Sequence, residues 1–339
     1  MNHVMKQVRL HGPRDLRVDE VPLPSPGETD VLVEVAACGV CGSDLGFYES
    51  GGIRRDGAPM PLGHEFSGVI REVGTGVVHY RPGMRVVVNP MANGAMIGVG
   101  SDEGALANLV RVRNVNSGPI LHQLPANLPL EVAALVEPLA VALHAVNRSR
   151  VTAGESVLVL GAGAIGLGIV ACLKARGISQ IAVADLSAGR LEIAAGLGAN
   201  LTLDPTRDDL WSELARAHGR VPTFLGTQAP ATQVIFECSG VSGVLHEAIA
   251  RARDAARITV ASVYKQPQAF DFSILQVKEL ELIGTLCYPT EFAQALELLA
   301  SGAFDPESMI SHRFSLDDVA QAYKTAADPQ RSAKVIIKP

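Results

Sequence analysis

The chain has 339 residues, of which 47% are hydrophobic and 19% charged, and its formal net charge at pH 7 is −6. This length favours two domains with a substantial core, and the negative charge without a dense Lys/Arg run excludes an extended basic face for nucleic acid. Charged residues interrupt the long apolar runs, the first residues contain no apolar signal-peptide core, and the five cysteines are an odd number. We therefore expect a soluble cytoplasmic protein with reduced thiols, no transmembrane helix and no membrane partner.

The N-terminal part, from residue 1 to about residue 150, contains short β-favouring runs separated by glycine and proline. Strands are predicted over residues 31–35, 67–73 and 84–89, with Gly/Pro turns between them. This pattern indicates an all-β, barrel-like unit placed ahead of an α/β unit.

Two short motifs in this unit carry unusual chemistry. Cys38 and Cys41 form a C-x-x-C, which fits a redox pair, half of a zinc ribbon or two buried thiols, and no second C-x-x-C follows. His64 and Glu65 form a pair between a proline and a predicted strand, which fits either a structural loop or a metal site. Neither motif decides between these alternatives by itself.

A third unusual feature is Glu137, which interrupts the apolar segment 132–146. A carboxylate there must be paired, protonated or bound to a metal, because burying it without a partner is costly. It can also be a helix N-terminal residue that precedes Pro138 at the first helical position. Taken together, a thiolate, an imidazole and a carboxylate predict a three-ligand zinc site with a fourth position open, which is the catalytic pattern.

The α/β unit opens with a glycine-rich turn. Residues 156–160 are almost wholly apolar and predict a strand buried on both faces, and residues 165–173 have helical spacing. Between them lies a G-x-G-x-x-G, whose free backbone N–H groups and positive helix end suit a pyrophosphate. The predicted cofactor contacts in this turn are Gly161, Gly163, Ala164, Ile165 and Gly166.

An acidic residue follows at the distance that such a turn requires. Residues 180–184 form a second apolar run, which predicts a second strand, and Asp185 follows it about twenty residues beyond the third glycine. Its carboxylate suits the two ribose hydroxyls and repels a 2′-phosphate, so that NAD is favoured over NADP. Arg190 is a further cofactor contact and softens that preference.

The remaining chain continues the α/β pattern. We predict helices over 186–197, 210–217, 291–301 and 316–326, the last with Ser315 as N-cap. Strands are predicted over 200–203, 257–263, 280–286 and 334–337, a strand followed by a turn over 233–240, and a long loop over 219–232. The strands suffice for a six-stranded doubly wound sheet. Lys334 is predicted to be an exposed strand lysine or to reach a cofactor phosphate.

Five motifs resemble a known family when they are taken in chain order. They are CGVCGSD (38–44), LGHEFSGVIREVG (62–74), VEPLAVALHAV (136–146), VLVLGAGAIG (157–166) and FECSG (236–240). The chain resembles the zinc-dependent medium-chain alcohol dehydrogenases over nearly its whole length, and most of all their sorbitol and 2,3-butanediol dehydrogenase branch. The resemblance implies an α/β protein with a GroES-like β-barrel catalytic domain, residues 1–150 plus 287–339, and a Rossmann NAD-binding domain, residues 151–286.

The resemblance also implies residue roles. The zinc ligands would be Cys41, His64 and one of Glu65 or Glu137, which can exchange or bind through water, while Cys38 would be a packed thiol. The catalytic residues would be Ser43, Asp44 and Glu65. Ser43 would bind the substrate hydroxyl and pass its proton towards the nicotinamide ribose, and Asp44 would accept the second imidazole N–H of His64.

Two departures from the family change these expectations. Gly46 stands where many relatives carry a histidine that ends the proton relay, so the proton would leave through the ribose hydroxyl and water or through another base. Residues 89–104 are short and contain no cysteine where many relatives bind a second zinc. We therefore expect one catalytic zinc per subunit and no structural zinc.

The predicted activity is reversible oxidation of a secondary alcohol, diol or polyol to a ketone by hydride transfer to NAD. A zinc-free NAD(P)H-dependent reductase of the same fold is the alternative, and a nucleotide-binding regulatory protein is a third possibility. We expect a small-molecule alcohol as substrate, no nucleic-acid partner, and a homo-oligomer, dimer or tetramer, as is common among the relatives.

Overall fold

The computed structural model describes residues 4–339, and its first half is built mainly of β-strands. The strands are β1 (Val4–Gly12), β2 (Asp15–Pro22), β3 (Val31–Gly39), β4 (Met60–Pro61), β5 (Glu65–Val73), β6 (Arg85–Val88), β7 (Leu109–Val112) and β8 (Leu121–Gln123). The helices are α1 (Gly42–Ser50), α2 (Leu130–Ala133) and α3 (Val136–Ser149).

The second half alternates strands and helices before it returns to the β unit. Its strands are β9 (Ser156–Leu160), β10 (Gln180–Ala184), β11 (Leu201–Leu203), β12 (Arg220–Pro222), β13 (Gln228–Pro230), β14 (Val234–Glu237), β15 (Arg257–Val260), β16 (Glu281–Gly284), β17 (Ile310–Ser315) and β18 (Lys334–Lys338). Its helices are α4 (Ala164–Ala175), α5 (Ala188–Gly196), α6 (Leu210–His218), α7 (Ser242–Arg251), α8 (Phe272–Val277), α9 (Phe292–Ala300) and α10 (Val319–Ala326).

The N-terminal β unit matches the predicted architecture. A seven-stranded sheet runs in the order β17-β18-β3-β5-β6-β8, with β7 also paired to β3, and a three-stranded sheet runs β2-β1-β4. The strands predicted over 31–35, 67–73 and 84–89 fall in β3, β5 and β6. Alternate side chains of β3, Val31, Val33 and Val35, are buried in the core of this unit.

The C-terminal strand joins the sheet that the N-terminal segment builds. β18 pairs antiparallel with β3 and parallel with β17, which places residue 337 opposite residue 38. The predicted domain limits at 150/151 and 286/287 are sequence-based and stay predictions.

The six-stranded parallel sheet has the doubly wound topology predicted for it. Its order is β11-β10-β9-β14-β15-β16, and every neighbouring pair is parallel. All five residues of β9 are buried, as expected for a central strand covered on both faces. The order reverses direction between β9 and β14, and ligands of such sheets bind in the crevice at the carboxyl ends of these two strands.

Two local predictions are wrong. Residues 219–232 are not one long loop, because β12 and β13 form an antiparallel hairpin there. Its prolines weaken the sequence pattern of a strand, but they stand at edge positions, where a missing backbone N–H is tolerated. Residues 316–326 are not one helix, since a 3₁₀ turn at Leu316–Asp318 precedes α10. Ser315 donates to the Asp318 carboxylate and caps no backbone N–H.

The helical stretch Leu130–Ser149 contains α2 and α3. It is long and apolar enough to cross a bilayer by composition, yet 72% of the relevant window is buried against the rest of the protein. That degree of burial is typical of a core helix.

Candidate functional site

Strand pairing brings the two N-terminal motifs together. β3 ends at Gly39 and β5 begins at Glu65, and these two residues are direct antiparallel partners. Cys41, two residues beyond the end of β3, therefore lies beside His64, one residue before the start of β5. Gly39 is required here, because a Cβ at that position would lie 2.0 Å from Glu65 Oε2.

Cys41, His64 and Glu65 form a compact group of metal-ligand side chains. The thiol sulfur, an imidazole nitrogen and a carboxylate oxygen all lie within 4.8 Å of one another. His64 and Glu65 are buried, and Cys41 is half-buried. Zinc–ligand bonds of about 2.0–2.3 Å place tetrahedral ligands roughly 3.5–4 Å apart, so this group fits a zinc ion with a fourth position open.

The imidazole of His64 lies between two residues of α1. Its Nε2 is 3.3 Å from Ser43 Oγ, and its Nδ1 is 3.6 Å from Asp44 Oδ1. The second distance is too long for the hydrogen bond that we expected, and Nδ1 has no other hydrogen-bond partner within residues 4–339. Burial alone would lower the pKa of His64, but Asp44 and Cys41 beside it raise that pKa well above its ordinary value.

Asp44 is fully buried and is held by the backbone. Its Oδ2 accepts a hydrogen bond of 2.9 Å from the N–H of Cys41, the residue that precedes α1. Burial raises the pKa of Asp44, while the facing His64 opposes this change. Asp44 therefore fixes the position of Cys41 and directs its second oxygen towards the imidazole.

Lys334 is the main surprise at this site. The prediction of an exposed strand lysine is wrong, because Lys334 is only 2% exposed and forms an ion pair with Glu65 Oε2. Its ammonium also donates to Val40 O at 3.1 Å. Burial is the largest single influence and lowers the pKa of Lys334, but Glu65, Cys41 and Glu137 together raise it above its ordinary value, so the lysine stays charged.

Glu137 lies near the three-residue group but outside it. The group within 4.8 Å contains Glu65 and not Glu137. Burial raises the pKa of Glu137 to about 7, and the Glu65 carboxylate contributes in the same direction, while His64 opposes it. The Tyr288 hydroxyl faces the Glu137 carboxyl without forming a hydrogen bond of good geometry.

Cys38 differs from Cys41 in its environment and lies outside the group of metal-ligand side chains. It is fully buried, and burial raises the pKa of its thiol well above the ordinary value. Its sulfur makes only a weak contact of 3.6 Å with the carbonyl of Gly39. This environment suits a packed thiol.

The glycine-rich turn has the geometry that a pyrophosphate requires. Gly161 has φ +98°, and a Cβ on Gly166 would lie 1.9 Å from Gly161 O, so both positions need glycine. A Cβ on Gly163 would meet nothing within 4 Å. Gly163 precedes α4 without any side-chain cap, which leaves the first N–H groups of that helix, from Ala164 and Ile165 onwards, available to an anion.

Asp185 directly follows β10, on the same side of the sheet. Its Oδ2 accepts a 2.6 Å hydrogen bond from the N–H of Ala162, and its Oδ1 accepts one of 2.8 Å from Ser187. The Nε of Arg190 donates to Ser332 O at 2.7 Å. The turn that precedes β18 therefore contacts the predicted ribose end of the crevice.

Two functional candidates were not predicted from the sequence: Lys334 in its observed role, and Glu237. Lys334 had no local signal, because its burial depends on the pairing of β18 with β3. Glu237 ends β14 at the switch point and is fully buried. A carboxylate that ends an otherwise apolar strand was the available signal for it.

Two family models match the chain, and together they span most of it. The model described as "Alcohol dehydrogenase GroES-like domain" matches residues 27–126, and "Zinc-binding dehydrogenase" matches residues 164–301. Both descriptions agree with the two folding patterns seen here.

Curated relatives and solved structures agree with these matches. Sorbitol dehydrogenase of Homo sapiens is 33% identical, over 93% of this chain and 91% of the relative. (R,R)-butanediol dehydrogenase of Bacillus subtilis is 32% identical, over 99% of this chain and all of the relative. The crystal structure of 2R,3R-butanediol dehydrogenase from Bacillus subtilis superposes with a TM-score of 0.87 at 31% identity, and 99% of each chain is covered. The chain therefore belongs to the zinc-dependent medium-chain alcohol dehydrogenase family, in its sorbitol and butanediol dehydrogenase branch.

Proposed function

We propose that this chain oxidises a secondary alcohol group of a vicinal diol or polyol to a ketone, reversibly, with NAD as hydride acceptor and one zinc ion per subunit. The observation that carries the proposal is the convergence of Cys41, His64 and Glu65 within 4.8 Å. The named relatives that act on sorbitol and on butanediol support the substrate class.

In this proposal Cys41, His64 and Glu65 hold the zinc ion, and Glu137 contributes through water or by exchange with Glu65. When bound, zinc supplies a Lewis acid, which can lower the pKa of coordinated water from about 15.7 to about 7. Asp44 contributes by fixing the backbone of Cys41 and by facing the imidazole of His64. These contacts hold the ligands in place before the substrate arrives.

Ser43 is proposed to accept a hydrogen bond from the substrate hydroxyl and to pass its own proton towards the nicotinamide ribose as it receives the substrate proton. Its hydroxyl lies 3.3 Å from His64 Nε2, so a substrate hydroxyl beside the metal site would lie within reach of it. Gly46, one turn further along α1, lines a cavity of about 810 Å³ together with Lys265 and Lys324. A cavity of this size holds water. In the proposal, the proton leaves through the cofactor ribose and water in place of a histidine.

NAD is favoured over NADP by the fixed position of Asp185. Its two oxygens are held by backbone N–H groups of Ala162 and Ser187, which keeps a negative charge at the predicted ribose position. The Nε of Arg190 is anchored by Ser332 O. The fixed charge of Asp185 acts against a 2′-phosphate.

The single-zinc proposal concerns residues 89–104. Arginine side chains bind carboxylates around this segment: Arg54 pairs with Asp102 at 2.9 Å, and Arg111 and Arg113 share Glu103. These ion pairs hold the segment in place by contacts that do not require a metal ion. A homo-oligomer in the cytoplasm remains part of the proposal.

The test is an NADH-absorbance screen of secondary alcohols, vicinal diols and sugar alcohols on protein whose zinc content is measured by elemental analysis. We expect one zinc per subunit and turnover of a diol or polyol with NAD. Cys41→Ser and His64→Ala should lose zinc and nearly all turnover while keeping NADH binding. Cys172→Ala, a buried thiol in α4, is the matched control and should keep both. Full turnover in zinc-free protein would refute the proposal and favour a zinc-free reductase.

A further inference from the structure

A buried carboxylate at the switch point has no part in the mechanism above. Glu237 is the last residue of β14, lies between β9 and β15 in the sheet, and is 0% exposed. A carboxylate buried in this way must be compensated by hydrogen-bond donors. The identity of its donors indicates what it does.

Five donors converge on Glu237, and they come from two different loops. Its Oε1 accepts from the N–H of Ser239 at 2.8 Å, from the Ser239 hydroxyl, and from the N–H of Gly240 at 3.1 Å. Its Oε2 accepts from the Ser262 hydroxyl and from the Tyr264 hydroxyl at 2.7 Å. One oxygen thus binds the loop after β14, and the other binds the loop after β15.

Both loops lie at the crevice edge of the parallel sheet. Gly161 of the glycine-rich turn is packed so closely against the first loop that a Cβ there would lie 3.0 Å from Ser239 N. A Cβ on Gly240 would lie 3.6 Å from the Ser262 side chain. The glycine-rich turn, the loop after β14 and the loop after β15 are therefore three successive layers along the edge where doubly wound sheets bind nucleotides.

The loop after β15 has few other constraints. Residues 261–271 contain no helix or strand, and the Val263 side chain between the two tied hydroxyls is 78% exposed. A backbone hydrogen bond near the start of this loop also involves residue 237, since the Ala261 N–H donates to the backbone carbonyl of Glu237 at 2.9 Å. Burial and the Glu237 carboxylate raise the pKa of Tyr264, so its hydroxyl remains a donor.

We propose that Glu237 is a positioning residue for the nicotinamide cofactor, which acts by joining the loops after β14 and β15 into one rigid wall of the crevice. The inference rests on the proposed use of this crevice for NAD. Because Glu237 is 0% exposed, its effect passes through Ser262 and Tyr264. A loop that is already ordered loses less conformational entropy when a ligand binds, so the hydrogen bonds of Glu237 increase the affinity for the nucleotide.

The choice of glutamate follows from its partners. All five are donors, and an ionised carboxylate is the side chain that accepts on both oxygens. Glutamine keeps one acceptor oxygen for the N–H groups of Ser239 and Gly240, while hydroxyls can turn and accept from its amide. Glu237→Gln should therefore retain part of the function that Glu237→Ala loses.

The test measures the NADH dissociation constant by fluorescence titration of the full-length protein, together with kcat and the KM for NAD. Tyr264→Phe and Ser262→Ala should each raise the dissociation constant and the KM by about tenfold, which corresponds to 1.4 kcal/mol, with kcat changed less than twofold. Without nucleotide, hydrogen exchange of residues 261–271 should become faster in both variants. Tyr80→Phe, which removes a hydroxyl bonded to Leu121 O in the β unit, is the matched control.

A double-mutant cycle tests the route of the effect. In a Glu237→Ala background, Tyr264→Phe should change NADH affinity less than twofold, because its partner is already gone. If Glu237→Ala does not fold, the two loop variants and Glu237→Gln carry the test. Unchanged NADH affinity in Tyr264→Phe and Ser262→Ala would overturn the inference, as would a tenfold effect that persists without Glu237. Failure of the unaltered protein to bind NADH would instead overturn the proposed function.

Discussion

Replacement of Lys334 by methionine tests how the buried charges of the site are balanced. Lys334 is 2% exposed and its partner Glu65 is 1% exposed, so the variant leaves a buried carboxylate without its counter-ion. Removing one partner of a buried ion pair costs about 3–5 kcal/mol. Methionine has a similar length and fills most of the same space, which confines the change to charge and to the donor lost by Val40 O.

Zinc should reduce this loss, because the metal supplies a second positive charge beside Glu65. We expect Lys334→Met to lower the free energy of unfolding by about 3–5 kcal/mol in zinc-free protein and by clearly less in zinc-loaded protein. By linkage, the zinc dissociation constant of the variant should fall by about tenfold for every 1.4 kcal/mol of difference. Urea unfolding with and without zinc, and a competition titration with a chelator, give the two quantities.

Lys338→Met is the matched control on the same strand. Lys338 pairs with Glu131 and its side chain is 53% exposed, so its loss should cost about 0–1 kcal/mol with or without zinc. The reasoning is refuted if Lys334→Met is as stable as Lys338→Met, or if its loss of stability is the same in zinc-free and zinc-loaded protein.

Two further predictions concern the cofactor and the connection between α3 and α9. Asp185→Ser should raise the KM for NAD by about 10–100-fold, because it removes hydrogen bonds of a charged group worth roughly 1.5–3 kcal/mol. It should also shift the preference towards NADP. An unchanged discrimination between NAD and NADP in steady-state kinetics would contradict this prediction. Burial raises the pKa of Glu291, but hydrogen bonds from His144 and Asn147 lower it to about 2. This depressed pKa adds about 1–3 kcal/mol of stability above pH ~4.5 that is lost as pH falls towards 2. Glu291→Gln should therefore be less stable than the unaltered protein by about that amount at pH 7, and this difference in stability should shrink below pH ~4.5. Unfolding can be followed by the fluorescence of Trp211, the single tryptophan. A difference in stability that stays constant with pH would contradict the depressed pKa of Glu291.

The parallel sheet could be predicted from the sequence because its signal is local. Interior parallel strands are continuous apolar runs, and the strands predicted over 156–160 and 180–184 have the observed limits of β9 and β10. The glycine-rich turn and Asp185 were likewise found from spacing alone. The hairpin of β12 and β13 was missed because its prolines resemble loop signals.

The metal group could be predicted only in part. Cys41 and His64 are far apart in the chain, and only the register of β3 against β5 brings them together. The burial of Lys334 depends on a contact with Val40 across 294 positions, which no local pattern encodes. Its neighbours in the sequence are those of an ordinary edge lysine, so the residue types around it favoured exposure.

The ion pair of Lys334 also bears on which carboxylate can serve as the zinc ligand. Glu65 Oε2 points towards Gly39 and the ammonium of Lys334, which leaves Oε1 as the oxygen without an ion pair. A carboxylate already half neutralised by a lysine is a weaker donor to a metal than a free one, and water or a substrate hydroxyl can displace it more readily. Glu137 is a second buried carboxylate whose pKa, raised by burial to about 7, is also raised by the neighbouring Glu65 carboxylate. If the two carboxylates exchange as proposed, Lys334→Met should shift the balance towards Glu65. Glu137→Gln should then weaken zinc binding less in the Lys334→Met background than in the unaltered protein, as a competition titration with a chelator would measure; an equal loss in both backgrounds would contradict this reasoning.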